Sequence, residues 1–293
     1  MVSVLAVSPS IDPHSARNAA RFLSRLQGLG AECLILANSR AVAELAGELE
    51  VPVADMGSNL GFGRAINAVA GMRAGWRWIL LLNDDLGMTD EVAERMIGAI
   101  IQADKDDRGL LLFDPGEAQD TPDLLGTFLN VSNLARLAHR GPSASKGRRP
   151  QYSAFSAAAV SATAWDRLGG FSEDIPFCYE DADFVNRYYE LLGGVADCIP
   201  LTIRHEGSRT TRTYVDEVVP AVAWSAARYL VRIGHSERTA RRVVGAALLA
   251  RAIGAVFARA DTRAHVRGVL RAANALHRGA EPRLPSYDRA GRA

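Results

Sequence analysis

Short apolar runs alternate with helical repeats through the first half of the chain. "VSVLAVS" (residues 2–8) predicts a strand, and residues 14–29 set Ala16, Ala19, Ala20, Leu23 and Leu26 at helical spacing. "AECLILAN" predicts a second strand, "AVAELAGEL" a short helix, and "VPVADM" a third short strand. "FGRAINAVAGMRAG" reads as a helix closed by Gly75. "WRWILLLN" is apolar without alternation, the mark of a strand buried on both faces. Strand and helix alternating at this pace imply a mostly parallel sheet with helices on both sides. In such sheets ligands bind beyond the carboxyl ends of the strands.

The second half continues with a helix over 90–103. "GPSASKGRRP" (141–150) is small, polar and basic, and is expected to be a mobile loop. "YSAFSAAAVSATAWDRLGGF" gives a strand and a short helix, and "YEDADFVNRYYELLG" a helix with acids in its first turn. "GVADCIP" and "LTIRHEG" are strand candidates. From about Pro220 to about Arg278 the chain is Ala- and Arg-rich and helical. This gives an α/β domain over 1–215, a helical appendage over 216–278, and a tail over 279–293 expected to be disordered. There is no internal repeat.

Composition narrows the class. The 293 residues are 48% hydrophobic and 23% charged, ordinary for a globular protein with a sizeable core. A net charge of +1 gives no global field for nucleic acid, so no nucleic-acid partner is expected. Cys33, Cys178 and Cys198 have neither zinc-site nor disulfide spacing and fit a reducing cytoplasm. The N-terminus reads as a strand rather than a signal peptide. No apolar run approaches the roughly 18 residues that span a bilayer.

Four segments can carry chemistry. "GSNLGFGRAINAVA" (57–70) joins Asn59, Gly61 and Gly63 to a helix start, with Arg64 and Asn67 close by. Such a terminus binds anions, phosphates included; the plainer reading is a Gly-rich turn capped by Asn59. Asn83-Asp84-Asp85 follow the buried strand. Paired carboxylates suit a magnesium ion that completes its shell with water and phosphate. The alternative is a pair of acids capping the next helix, although Thr89 is itself a good cap. "FCYEDADFVNR" (177–187) crowds Glu180, Asp181 and Asp183 at a helix start among Phe177, Tyr179 and Phe184. Dipole stabilisation accounts for the acids, at about 0.3–1 kcal/mol each, but not for the aromatics. Apolar surroundings raise a carboxyl pKa toward that of a general base. Last, His205 ends an apolar segment beside Glu206; a lone histidine is more often structural.

In order, "SNLGFGRAINAVAG", "ILLLNDD", "LGGFSEDIPFCYEDADFVNR" and "IRHEGSRT" resemble the family 2 glycosyltransferases of the GT-A fold, in their bacterial rhamnosyltransferase-like branch. The match runs from residue 1 to about 230. The resemblance implies a Rossmann-like, mostly parallel central sheet and an inverting transfer of sugar from a nucleoside-diphosphate sugar to an acceptor hydroxyl. It implies that Asp85, with Asn83 in the first motif position and Asp84 beside it, holds Mg2+ or Mn2+ on the diphosphate. His205 resembles the late metal-ligand histidine, Asp181 with Glu180 the catalytic base, and Asn59, Gly61 and Asn67 the nucleotide-sugar pocket, to which Arg64 and Asn38 are added. Charge alone adds Arg209 and Arg212 as phosphate contacts.

The chain departs from the family pattern in three places. Its second strand ends Ala37-Asn38-Ser39 where the family has D-N-x-S, and its first runs into "VSPSID", with Asp12 as a substitute acid. A glycine expected in "FSAAAVS" is absent. A non-catalytic nucleotide-sugar or carbohydrate-binding protein is therefore the alternative. A nucleotidyltransferase is the lesser one, because "VSPSIDPHSA" lacks a Gly-rich phosphate loop. The acceptor class is a glycan, a lipid-linked sugar or a small molecule, and cell-wall or polysaccharide biosynthesis is the expected setting. The C-terminal arginines suggest a helical appendage packed on the domain or on a second subunit as a homodimer. The other reading is a peripheral contact with anionic lipid at the inner face of the membrane.

Overall fold

The computed structural model describes residues 2–113, 119–134, 150–205, 215–257 and 262–286. The strands are β1 (Val4–Ser10), β2 (Glu32–Ala37), β3 (Val53–Asp55), β4 (Trp78–Leu82), β5 (Leu86–Gly87), β6 (Leu110–Phe113), β7 (Gln119–Asp120), β8 (Gln151–Tyr152), β9 (Ala157–Ser161), β10 (Asp197–Ile199) and β11 (Arg204–His205). The helices are α1 (Pro13–Gly28), α2 (Arg40–Ala43), α3 (Phe62–Met72), α4 (Asp90–Lys105), α5 (Leu124–Ser132), α6 (Ala162–Leu168), α7 (Glu180–Leu192), α8 (Val215–Arg232), α9 (Glu237–Phe257) and α10 (Thr262–Arg278).

Seven strands form the central sheet in the order β10-β6-β9-β4-β1-β2-β3. All its pairings are parallel except those of β9, which runs antiparallel between β4 and β6. The expected α/β architecture, a GT-A-like mostly parallel sheet with flanking helices and a helical C-terminal region, is the one observed.

The absence of alternation in β1 and β4 has its cause in two cores. Leu5, Val7, Ile79 and Leu81 point into one, with α3, α6, α7 and the C-terminal helices. Val4, Ala6, Trp78, Leu80 and Leu82 point into the other, with α1 and α4. Both faces are dry, so each position along the strand must be apolar.

Boundaries move where local geometry overrides periodicity. The helix expected over 41–49 stops at Ala43, and the chain turns through Gly47 at φ 89°. The helix after residue 61 ends at Met72 rather than at Gly75. The C-terminal helix begins at Val215 and contains Pro220. Of "LTIRHEG" only Arg204–His205 is strand. The basic stretch 141–149 lies outside the described residues, as do Arg209 and Arg212.

The C-terminal helices dock on the domain: α8 on α5 and α7, α9 on α5 and α8, and α10 on α8 and α9. The first part of the tail continues this packing. Glu281 pairs with Arg64 at 2.7 Å, Asn59 Nδ2 donates to the Pro285 carbonyl at 2.7 Å, and Ser286 N donates to Glu217 at 3.1 Å. The partners lie far back in the chain, so a composition window over 279–293 does not register them.

Candidate active site

A cavity of about 520 Å³ opens beyond the carboxyl ends of β1, β2 and β4. Asn38, Asn59, Gly61, Asn83, Asp84, Asp85, Glu180 and Asp181 all line it. Three segments far apart in sequence build its walls.

The first wall is the turn leaving β4. Asn18 Nδ2 donates to the carbonyls of Asp84 and Leu86 at 2.9 Å each, pinning the turn from α1. Ser10, at the end of β1, donates its hydroxyl to Asp84 at 2.6 Å. Burial pushes the Asp84 carboxyl up to about 7; the Ser10 hydrogen bond opposes this, and the charges of Asp85 and Asp12 add to it. Neither acid is the cap of α4, because Thr89 accepts from Val92 N. Immediately after Asp85, β5 pairs antiparallel with β11, so the backbone of His205 stands opposite Leu86. A partner 119 positions later in the chain is thus brought beside the acidic turn.

The second wall is the segment 177–181. Cys178 and Tyr179 both adopt left-handed backbone, at φ 60° and 66°. For non-glycine residues this costs on the order of 1–3 kcal/mol each and marks a conformation imposed by its surroundings. The kink turns Glu180 and Asp181, the first residues of α7, into the cavity. Asp181 is half-buried and accepts from Ala182 N at 2.7 Å and, more weakly, from Phe155 N at 3.4 Å. Burial raises both carboxyls, with mutual repulsion adding to Glu180, which reaches about 8. The Cys178 thiol opens to the cavity yet is surrounded by protein, and burial followed by the two carboxylates raises its pKa.

These raised values predict a pH effect. A carboxyl raised above its unfolded value binds its proton more tightly in the native state. Its stability contribution is therefore full below about pH 4.5, the ordinary Glu value, and is lost as pH rises through about 8. Glu180→Gln should flatten that loss and melt higher than the parent at pH 8.5. Calorimetric melts from pH 5 to 9 check this.

Asp183, in the same first turn of α7, has a different role. It is buried, accepts from Ser172 Oγ at 2.5 Å, and pairs with Arg187 at 2.8 Å. Arg187 in turn donates to the carbonyls of Leu168 and Gly170. The acidic cluster in the sequence thus divides into two cavity acids and one structural ion pair. Arg187→Met removes the close partner of the buried Asp183, leaving only Arg232 at 4.0 Å, and is expected to cost about 3 kcal/mol in urea unfolding.

The third wall is the loop before α3. Asn38 donates to the Gly61 carbonyl at 3.0 Å and accepts from Leu60 N at 3.3 Å, which clamps the loop to the end of β2. Asn59 Oδ1 accepts from Gly61 N at 2.8 Å. No side chain caps α3, whose N-cap Gly61 and first residue Phe62 border the cavity.

Arg64 and Asn67 do not line the cavity. Arg64 is held by Glu281, by Glu173 and by the Glu173 carbonyl. Asn67 makes a two-way bond with the Phe171 backbone at 2.9 Å in each direction. Asp12 caps α1 by accepting from His14 N. Phe184 lies in the core, while Phe177 and Tyr179 border the cavity. Sequence reasoning missed Ser10, Asn130, Tyr152 and Ser156. They belong to strand ends and a helix whose convergence needs the β9 crossing, and no local pattern distinguishes them. Among the described residues, no group of three or more His, Cys, Asp or Glu side chains is placed to hold a metal.

No protein-family model matches the chain, and no curated protein does. Solved structures give weak likenesses. S. aureus TarS 1-349 aligns at TM-score 0.42 and 13% identity over 95% of this chain and 92% of its own. A longer S. aureus TarS structure is spanned over 55% of its length. CMP:2-keto-3-deoxy-manno-octonic acid synthetase complexed with CTP aligns at 0.43 and 10% identity, over 75% of this chain and 98% of its own. The catalytic domain of Drosophila beta1,4galactosyltransferase 7 with xylobiose aligns at 0.39 and 14% identity, over 72% and 74%.

Proposed function

We propose that the chain is an inverting glycosyltransferase that moves a sugar from a nucleoside-diphosphate sugar to an acceptor hydroxyl. One observation carries the reading: the acidic turn after β4 and the Glu180–Asp181 pair line a single cavity. One supplies oxygen donors for a cation on a diphosphate; the other supplies a base.

The fit of a divalent cation follows from the donor set. Asp84 and Asp85 are adjacent hard-oxygen donors whose like charges already repel. The cavity leaves room for water and phosphate oxygens, from which Mg2+ takes most of its ligands. Asp85 would hold the ion, with Asn83, Asp84 and His205 in support. When bound, it neutralises charge on the departing diphosphate.

The protein's own residues do the rest. The uncapped start of α3 turns backbone N–H groups toward an anion. Asp181 accepts the proton of the acceptor hydroxyl as that oxygen bonds to the anomeric carbon. The carbon–phosphate-oxygen bond breaks on the opposite face, and the nucleoside diphosphate leaves with the electron pair. A single displacement inverts the anomeric centre. The raised pKa of the pair suits a base, so turnover should rise with pH through the neutral range.

Calorimetry of UDP, dTDP and GDP with Mg2+ or Mn2+ tests the donor side. Binding by the parent should fall at least tenfold in EDTA. Asp85→Ala should bind weakly with or without metal. Metal-independent binding that survives Asp85→Ala would sink the assignment.

A further inference from the structure

Helices α9 and α10 keep an outer face that sugar transfer does not use. Their inner positions, among them Val244, Leu248 and Leu276, are buried in the core. On the outside of α9, Leu249, Ile253, Val256 and Phe257 recur at helical spacing and are exposed, Phe257 at 82%. Val266 and Leu270 do the same on α10. Single exposed apolar residues are ordinary, but stripes on two packed helices mark a contact surface.

Charge identifies what it contacts. Residues 237–278 hold nine arginines and two acids, in a chain whose net charge is +1. Exposed Arg242, Arg263 and Arg267 have no acidic partner among the described residues. A second copy meeting this face with its own like face would set arginine against arginine. An anionic lipid surface satisfies both features, phosphates for the arginines and a shallow apolar layer for the stripes. No helix among the described residues is long and apolar enough to cross a membrane, so the contact is peripheral. The position also fits. Helix α9 packs on α5 through Arg251, which donates to the Val131 carbonyl, and the neighbouring Asn130 lines the cavity.

We propose that the outer face of α9 and α10 docks on anionic lipid, which sets the cavity beside the membrane surface. Docking needs no donor or acceptor, so it is measured separately from sugar transfer. The test is co-flotation of the full chain with phosphatidylcholine vesicles, with and without phosphatidylglycerol, at low and high salt. Flotation is expected with anionic vesicles only, weakened by salt. Arg263→Gln and Arg267→Gln should each weaken it about fivefold. Phe257→Ser should weaken it about tenfold while melting as the parent does. Phe257→Trp should bind like the parent and add fluorescence quenched by brominated lipid. No flotation at low salt, or equal flotation on neutral vesicles, overturns the proposal. So does a dimer in light scattering that Phe257→Ser splits while vesicles bind nothing, because the face then belongs to a second copy.

Discussion

Asp181→Asn is expected to lower sugar transfer by roughly a thousandfold while leaving nucleotide binding near that of the parent. The side chain keeps its shape, and its oxygen can still accept from Ala182 N. What it loses is the capacity to take a proton. The variant should not unfold. The native carboxyl is raised by burial, so replacing it with a neutral amide removes a charge that the fold disfavours. At pH 8.5 the variant should therefore melt no lower than the parent. That combination, intact stability and intact binding with lost turnover, separates a base from a structural acid. Asp183→Asn, in the same helix turn, should instead lose stability, because Asp183 is held by Arg187 and Ser172.

Gly61→Ala is the second large effect, expected to cost roughly 4 kcal/mol and to weaken donor binding at the same time. Gly61 has φ 84° and ψ −173°, a region that only glycine occupies readily. A Cβ there would also overlap the Pro176 carbonyl oxygen and approach Leu284 at 3.2 Å. Pro176 leads directly into the kinked segment that presents Glu180 and Asp181. The methyl group would therefore push the loop before α3 and the segment carrying Glu180 and Asp181 apart. Chemical unfolding and nucleotide calorimetry on the same variant should show both losses. Gly71→Ala is the control: it faces open space later in the same helix and should be neutral or slightly stabilising.

Much of this was legible in the sequence because periodicity reports burial. Trp78–Leu82 could be read as a two-faced strand, and the sheet buries it on both sides. The acidic turn and the Glu180–Asp181 pair stand out because carboxylates after apolar runs are costly unless compensated, and both segments line the cavity. Other parts were not legible, for a common reason. Asn67 and Arg64 look like pocket residues beside a Gly-rich turn, yet their partners are Phe171 and Glu281, over a hundred residues away. Ala37 reads as a gap in base recognition and Asn38 as a pocket residue; Asn38 does line the cavity, but both ends of its amide serve the Leu60–Gly61 backbone. Asp183 could not be told from Asp181 by spacing, because only the helix's packing decides which acid faces Arg187 and which faces the cavity.

The two acidic segments are proposed to form one sugar-transfer site. Its most direct test is nucleoside-diphosphate release from a panel of UDP-, dTDP- and GDP-sugars, with Mg2+ or Mn2+ and a panel of acceptors. Release by the parent is expected with at least one donor, with dependence on metal and loss of release in both Asp85→Ala and Asp181→Asn. Release that persists at near-parent rates in Asp181→Asn, or nucleotide-sugar binding by the parent without turnover on any acceptor, would contradict it.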